Sequence, residues 1–346
     1  MAYTVSLADA REMVKRCLFV GLMPMVTGSP GCGKSEMIKS IANEYNLKLI
    51  DERLSTDEPP DMKGYPNINY ETGKASYYPM DIFPLETDPI PEGYDGWMLF
   101  LDELNSADED MQKSAYKTVY DLEVGNHKLH PRCVLVGAGN LETDNAIVNE
   151  LSTAMQSRMV HIEISMDKDP KRLGWLQWAA ENNLDHRILS YIRFEPDNLF
   201  RFNPDHDDKT FACPRTWEFV SRLIKDKENL DQVDKALIAG AVSEGVARQF
   251  TAFCDIYENL PTIESIKANP DTTPVPAEAS VQFAVSGSVG AHMDSSNVGS
   301  LIQFVNRMPK EFQVIIIRDA IYRDPSLRES TEINQWISKN ATELFS

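Results

Sequence analysis

The residues best suited to chemistry begin with an eight-residue stretch, Gly28-Ser29-Pro30-Gly31-Cys32-Gly33-Lys34-Ser35, a full match to the phosphate-binding pattern G-x-x-x-x-G-K-S/T. An apolar run over 22–26, interrupted by Pro24, precedes it and can form a strand. Residues 34–45 follow with helical periodicity through Met37, Ile38 and Ile41. In such a loop the glycines let successive backbone N–H groups turn toward one anion, and the helix start adds the positive end of its dipole. Lys34 then reaches the β- and γ-phosphates of a nucleoside triphosphate, and the Ser35 hydroxyl binds Mg²⁺. A turn that merely joined a strand to a helix would need neither both fixed ends nor these flanks. The candidate nucleotide-binding set is Gly28, Ser29, Pro30, Gly31, Cys32, Gly33, Lys34, Ser35 and Glu36, the last in the first turn of the helix.

Hydrolysis of a bound triphosphate needs a second set of groups at the ends of other strands. Trp97-Met98-Leu99-Phe100-Leu101-Asp102-Glu103 supplies a buried strand ending in two acids, which presents Asp102 to the Mg²⁺ shell and Glu103 to an attacking water. Val134-Leu135-Val136-Gly137-Ala138-Gly139 is a further strand, and Asn140 at its end can orient that water; it can equally serve as a turn residue. The small Gly-Ala-Gly run before Asn140 predicts close approach of another group. Arg158 lies between a helix expected over 150–156 and a strand over 159–164, and its place in this order of parts makes it the candidate arginine finger.

The elements that must position these groups alternate in type up to residue 167. Ser6 can cap a helix with Asp9 in its first turn and Leu7, Ala10, Val14 and Cys17 on one face. Residues 47–50 form a second strand, and 56–94, rich in Pro, Gly and Tyr, form an inserted hairpin or small lobe rather than one long loop. Asp108 caps a helix through residue 120, and 123–129 read as a hairpin around Gly125-Asn126. Beyond Asp167 strand signals nearly vanish. Helices are expected over 171–182, 185–194, 215–225, 231–257, 298–307, 310–322 and 332–344, with a Pro/Thr-rich linker over 269–278. The domain reading is 1–167 for an α/β nucleotide-binding domain with an insert near 57–95, and 168–346 for an all-helical domain.

Composition narrows the class of partner. The 346 residues are 42% hydrophobic, enough for two domains and a sizeable core, and carry a net charge of −19. Between Asp51 and Gly125 there are 18 acidic and 5 basic residues, a poor start for general nucleic-acid binding. Five cysteines without C-x-x-C spacing read as reduced, buried thiols, and six histidines without H-x-x-x-H pairing offer no zinc site. Lys15-Arg16 and the apolar run after it mimic a signal peptide, but the run leads directly into the phosphate loop, which excludes cleavage there. No apolar stretch approaches the ~20 residues of a membrane span, so a cytoplasmic protein is expected.

The order of parts resembles the AAA+ ATPases, and within them the MoxR-like branch of the helix-two-insert clade. The loop Gly28 to Ser35, the strand ending in Asp102 and Glu103, Asn140 as sensor one, Arg158 as finger and Cys213-Pro214-Arg215-Thr216-Trp217, with Arg215 as sensor two, carry the general resemblance. Asp61-Met62-Lys63-Gly64 with its insert, the hairpin over 123–129, and Gly139-Asn140-Leu141-Glu142-Thr143-Asp144 followed by Val160-His161-Ile162-Glu163-Ile164 are similar to MoxR-like ATPases encoded beside von Willebrand factor A domain proteins. The resemblance implies a parallel five-stranded sheet flanked by helices, an all-helical lid, and a homo-oligomeric ring, commonly a hexamer, with ATP and Mg²⁺ between subunits. It further implies a chaperone-like role on a client protein, one carrying a von Willebrand factor A domain being the candidate. Whether Arg215 acts in its own subunit or across the interface stays open. A nucleic-acid motor is the main rival, favoured by Lys74, Lys128 and His130 and opposed by the acidic excess. A P-loop phosphotransferase is disfavoured by Glu103 beside Asp102.

Overall fold

The computed structural model describes residues 3–144, 148–205 and 208–344. The chain divides into two units, Met1–Lys168 with Asn203–Asp205, and Asp169–Phe202 with His206–Ser346.

The first unit is built on a parallel sheet. Its strands are β1 (Thr4–Val5), β2 (Met23–Gly28), β3 (Leu47–Arg53), β6 (Gly96–Asp102), β9 (Cys133–Gly139) and β10 (Met159–Ile164), in the spatial order β1-β10-β2-β9-β6-β3. Between them in sequence lie two antiparallel hairpins, β4 (Tyr65–Asn69) with β5 (Lys74–Tyr78), and β7 (Glu123–Val124) with β8 (His127–Lys128). The sheet thus has six strands where five were expected. The sixth, β1, is two residues long and exists through its pairing with Glu163 and Ile164 at the end of β10.

The central strands are continuous apolar runs because helices cover both faces. Every residue of β6 is buried, and Leu99 and Leu101 share a core with Met111, Ala115 and Val119 of α4 (Glu109–Asp121). On the other side α1 (Leu7–Phe19) and α2 (Lys34–Glu44) pack against β2. Their starts follow from local chemistry. The Ser6 hydroxyl accepts from the Asp9 amide, and the Asp108 carboxylate accepts from the Met111 amide. The insert over 57–95 contains the short helix α3 (Pro59–Lys63) and the β4–β5 hairpin. The helix expected over 150–156 is shorter: α5 spans Thr153–Gln156, because Ser152 caps it and Leu151 is buried just ahead of it.

The second unit carries ten α-helices and no strand among the described residues: α6 (Leu173–Glu181), α7 (His186–Phe194), α8 (Pro214–Ile224), α9 (Gln232–Val242), α10 (Glu244–Cys254), α11 (Ile263–Ala268), α12 (Ala279–His292), α13 (Val298–Val305), α14 (Lys310–Arg323) and α15 (Thr331–Leu344). The single helix expected over 231–257 is divided at Ser243, whose φ of 76° breaks the helical path between α9 and α10. Tyr191, Trp217, Phe250 and Phe253 form one aromatic core, and Phe304, Phe312, Ile316 and Trp336 belong to another. No helix among the described residues is long and apolar enough to cross a membrane, and the five cysteines are buried and in no disulfide.

Candidate functional site

Strand register brings the candidate groups together. Thr27 of β2 is level with Gly139 of β9, and Leu101 of β6 with Gly137, so the carboxyl ends of three neighbouring strands meet beside the loop Gly28 to Ser35. Crevices at strand carboxyl ends are where open α/β sheets hold ligands. The loop turns on two left-handed glycines, Gly31 at φ 74° and Gly33 at φ 103°. Gly33 leads into α2 without a side-chain cap, which leaves the first-turn amides for a ligand.

Lys34 is buried, yet its ammonium pairs with no carboxylate among the described residues. It donates to the Gly28 carbonyl at 2.6 Å and the Ser29 carbonyl at 3.2 Å, and lies 3.4 Å from Asn140 Oδ1. Such an amine holds the loop's shape while keeping a whole positive charge for an anion. The Ser35 hydroxyl donates to Asp102 Oδ2 at 3.2 Å, so a hydroxyl and a buried carboxylate from two different elements converge. These two hard oxygens would suit Mg²⁺, with Ser35 and Asp102 as the residues that would hold it. Partial desolvation and the charge of Asp102 push the Asp51 carboxyl above its ordinary range.

Glu103 follows Asp102 with φ 55°, an uncommon conformation for a residue with a side chain, held by its amide donating to Asp102 Oδ1 at 2.9 Å. The turn separates the two carboxylates, one toward Ser35 and one toward Ser55, whose hydroxyl donates to Glu103 Oε2. Asn140 is fixed through its backbone by Asn105, whose amide group donates to the Asn140 carbonyl at 2.8 Å and accepts from the Asn140 amide at 3.0 Å. Gly139 must be small for this to happen, since a Cβ there would stand 2.1 Å from Asn105 Oδ1. The Gly-Ala-Gly run thus makes room for a side chain of the same unit. Cys32 is buried against Gly28 and is not positioned as an exposed thiol.

Arg158 is anchored just beyond α5, its Nη1 donating to the Ala154 carbonyl at 3.2 Å and to Ser157 Oγ at 3.0 Å, while its guanidinium covers the Tyr120 ring at 3.8 Å. Glu36 is exposed on the first turn of α2. Arg215 lies in the second unit, exposed on the first turn of α8, which Pro214 opens and the Thr216 hydroxyl caps by accepting from the Cys213 amide. Three contributors have no motif of their own: Ser55, Asn105 and Tyr120. Only Asn105 had an indirect sequence cue, the small Gly137-Ala138-Gly139 run that leaves room for it.

A further titrating group lies near the site. Burial, with the carboxylates of Asp57, Asp51 and Asp61 nearby, pushes Glu52 up to about 7.

No protein-family model and no curated protein matches the sequence. Among solved structures, a protein of Cytophaga hutchinsonii provisionally described as an ATPase aligns over 97% of this chain and 89% of its own, at 12% identity and a TM-score of 0.36. RuvB of Thermotoga maritima, described as a Holliday junction branch migration motor, aligns over 81% of this chain and 67% of its own, at 11% identity and a TM-score of 0.33. A point mutant of the same RuvB reaches 0.39 at 16% identity, over 85% and 82% of the two chains. At these scores the likenesses carry no weight, and the function must be argued from the site itself.

Proposed function

We propose that this chain is an ATP-hydrolysing motor of the AAA+ type, of the MoxR-like branch, that works as a homo-oligomeric ring on a client protein. The observation that carries the ATPase reading is the meeting of Lys34, Ser35, Asp102, Glu103 and Asn140 at the carboxyl ends of β2, β6 and β9, with Ser35 Oγ 3.2 Å from Asp102 Oδ2. Lys34 and the backbone N–H groups of the loop between Gly28 and Glu36, Pro30 having none, hold the triphosphate. Ser35 and Asp102 hold Mg²⁺, which when bound screens the β- and γ-phosphate charge. Glu103 takes the proton of the attacking water, Ser55 steadies that carboxylate, and Asn140 orients the water.

Arg158 is read as the finger that meets charge developing on the γ-phosphate of a neighbouring subunit, with Arg215 as sensor two. A finger is worth about 10³ to 10⁵ in rate, or roughly 4–7 kcal/mol of barrier. Because that stabilisation arises only when subunits meet, assembly and hydrolysis are coupled. The ring, the helical unit's role as a lid, and a client with a von Willebrand factor A domain rest on the sequence resemblance. The acidic region over 51–125 favours a basic protein surface over a phosphate backbone.

The test is the ATPase rate per chain against protein concentration, for the native protein and Arg158→Ala. A native rate that climbs with concentration, beside a variant that stays low and flat, is the expected result. A native rate constant to nanomolar concentration, matched by the variant, overturns the shared site and leaves a P-loop ATPase.

A further inference from the structure

The Arg158 side chain is held in an unusual way. Its Nε is buried without a hydrogen-bond partner, its Nη1 donates only to uncharged oxygens, and no carboxylate pairs with it among the described residues. What lies under the guanidinium is the ring of Tyr120, 3.8 Å from Cζ to the ring centre, at the last turn of α4. That ring is itself stacked on Tyr116, with centroids 5.8 Å apart and planes 20° apart, and Tyr116 packs against the apolar core below the sheet. Core, Tyr116, Tyr120 and Arg158 therefore form one continuous column. A π-face attracts a guanidinium without neutralising it, whereas a carboxylate would cancel the charge and compete with an incoming phosphate.

We propose that Tyr120, backed by Tyr116, is a positioning residue for the nucleotide chemistry: it fixes the direction of the Arg158 guanidinium by stacking and leaves its full charge for an anion. The inference rests on the reading of Arg158 as the finger. The contact holds the guanidinium over the Tyr120 ring. It also ties Arg158 to the end of α4, where Leu122 at φ 54° turns the chain into the β7–β8 hairpin. A displaced hairpin therefore moves the ring on which the arginine rests.

The experiment is a double-mutant cycle in kcat, with nucleotide affinity measured alongside by a fluorescent ATP analogue. Tyr120→Ala and Tyr120→Leu are each expected to lower kcat roughly tenfold with nucleotide affinity unchanged. Tyr120→Phe, which keeps the π-face, is expected to retain kcat within about twofold. In an Arg158→Ala background, Tyr120→Leu should produce no further fall, because the ring acts through the guanidinium alone. Tyr120→Leu with native kcat overturns the proposal, as does a tenfold fall that persists without Arg158. The tyrosine is half exposed, and the leucine variant keeps its apolar bulk, so a fall in kcat from unfolding is distinguished by lost nucleotide affinity. If Arg158→Ala itself leaves kcat unchanged, the finger reading has failed first.

Discussion

Lys34 and Glu103 illustrate how one side chain can be prepared for a ligand and another for a reaction. The Lys34 ammonium sits where two loop carbonyls hold it, so under the proposed reading it meets an anion without having to be recruited. Lys34→Ala removes both the charge and the loop's internal tie. ATP affinity should fall by on the order of 100-fold or more, about 2.7 kcal/mol, in titrations with a fluorescent analogue. Glu103→Gln keeps the shape and loses the proton acceptor. It should bind ATP as the native chain does, while phosphate release slows by roughly 10²- to 10⁴-fold. Loss of binding in that variant would contradict the assigned role. The left-handed backbone at Glu103 costs about 1–3 kcal/mol, and the bonds to Asp102 and Ser55 hold it there.

At the level of elements, β9 and the turn after β6 interlock through Gly139 and Asn105. Gly139→Ala would drive a methyl into Asn105 Oδ1 and break both bonds that fix Asn140. Destabilisation of about 1–3 kcal/mol in urea unfolding is expected, together with a lower kcat. A variant as stable and as active as the native protein would mean that Asn105 does not hold Asn140. Much of this first unit was legible in the sequence, because strong local rules agree with the fold. A short apolar run ending in two acids fits a buried strand, Ser6 and Asp108 are ordinary caps, and β10 lies at the expected 159–164. What was missed depends on distant partners. β1 has no periodicity of its own, Ser55 and Tyr120 acquire meaning only beside Glu103 and Arg158, and the break at Ser243 involves neither Gly nor Pro. The 14-residue α12 was overlooked because it is apolar on nearly every side and rich in small residues, such as Gly287 against Ser190, so it shows no amphipathic stripe.

For the whole molecule, the net charge of −19 bears directly on assembly. Copies of so acidic a chain repel each other at a range set by the Debye length, about 30 Å at 10 mM salt and about 10 Å at 100 mM. The concentration at which the ATPase rate per chain rises should therefore fall as salt increases over that range, and sedimentation should show larger species at the higher salt. A shift in the opposite sense would mean that oppositely charged patches drive association. The sheet topology carries one further consequence, for biosynthesis. β2, which leads into the loop Gly28 to Ser35, has as neighbours only β9 and β10 among the described residues, both made more than a hundred residues later. β3 and β6 can pair early, but β2 stays an unpaired apolar strand until β9 has left the ribosome, and its second edge stays open until β10 follows. The part of the chain that is first in sequence among the site's contributors is thus the last to be completed in the fold, and during synthesis it is the segment most in need of protection from other nascent chains.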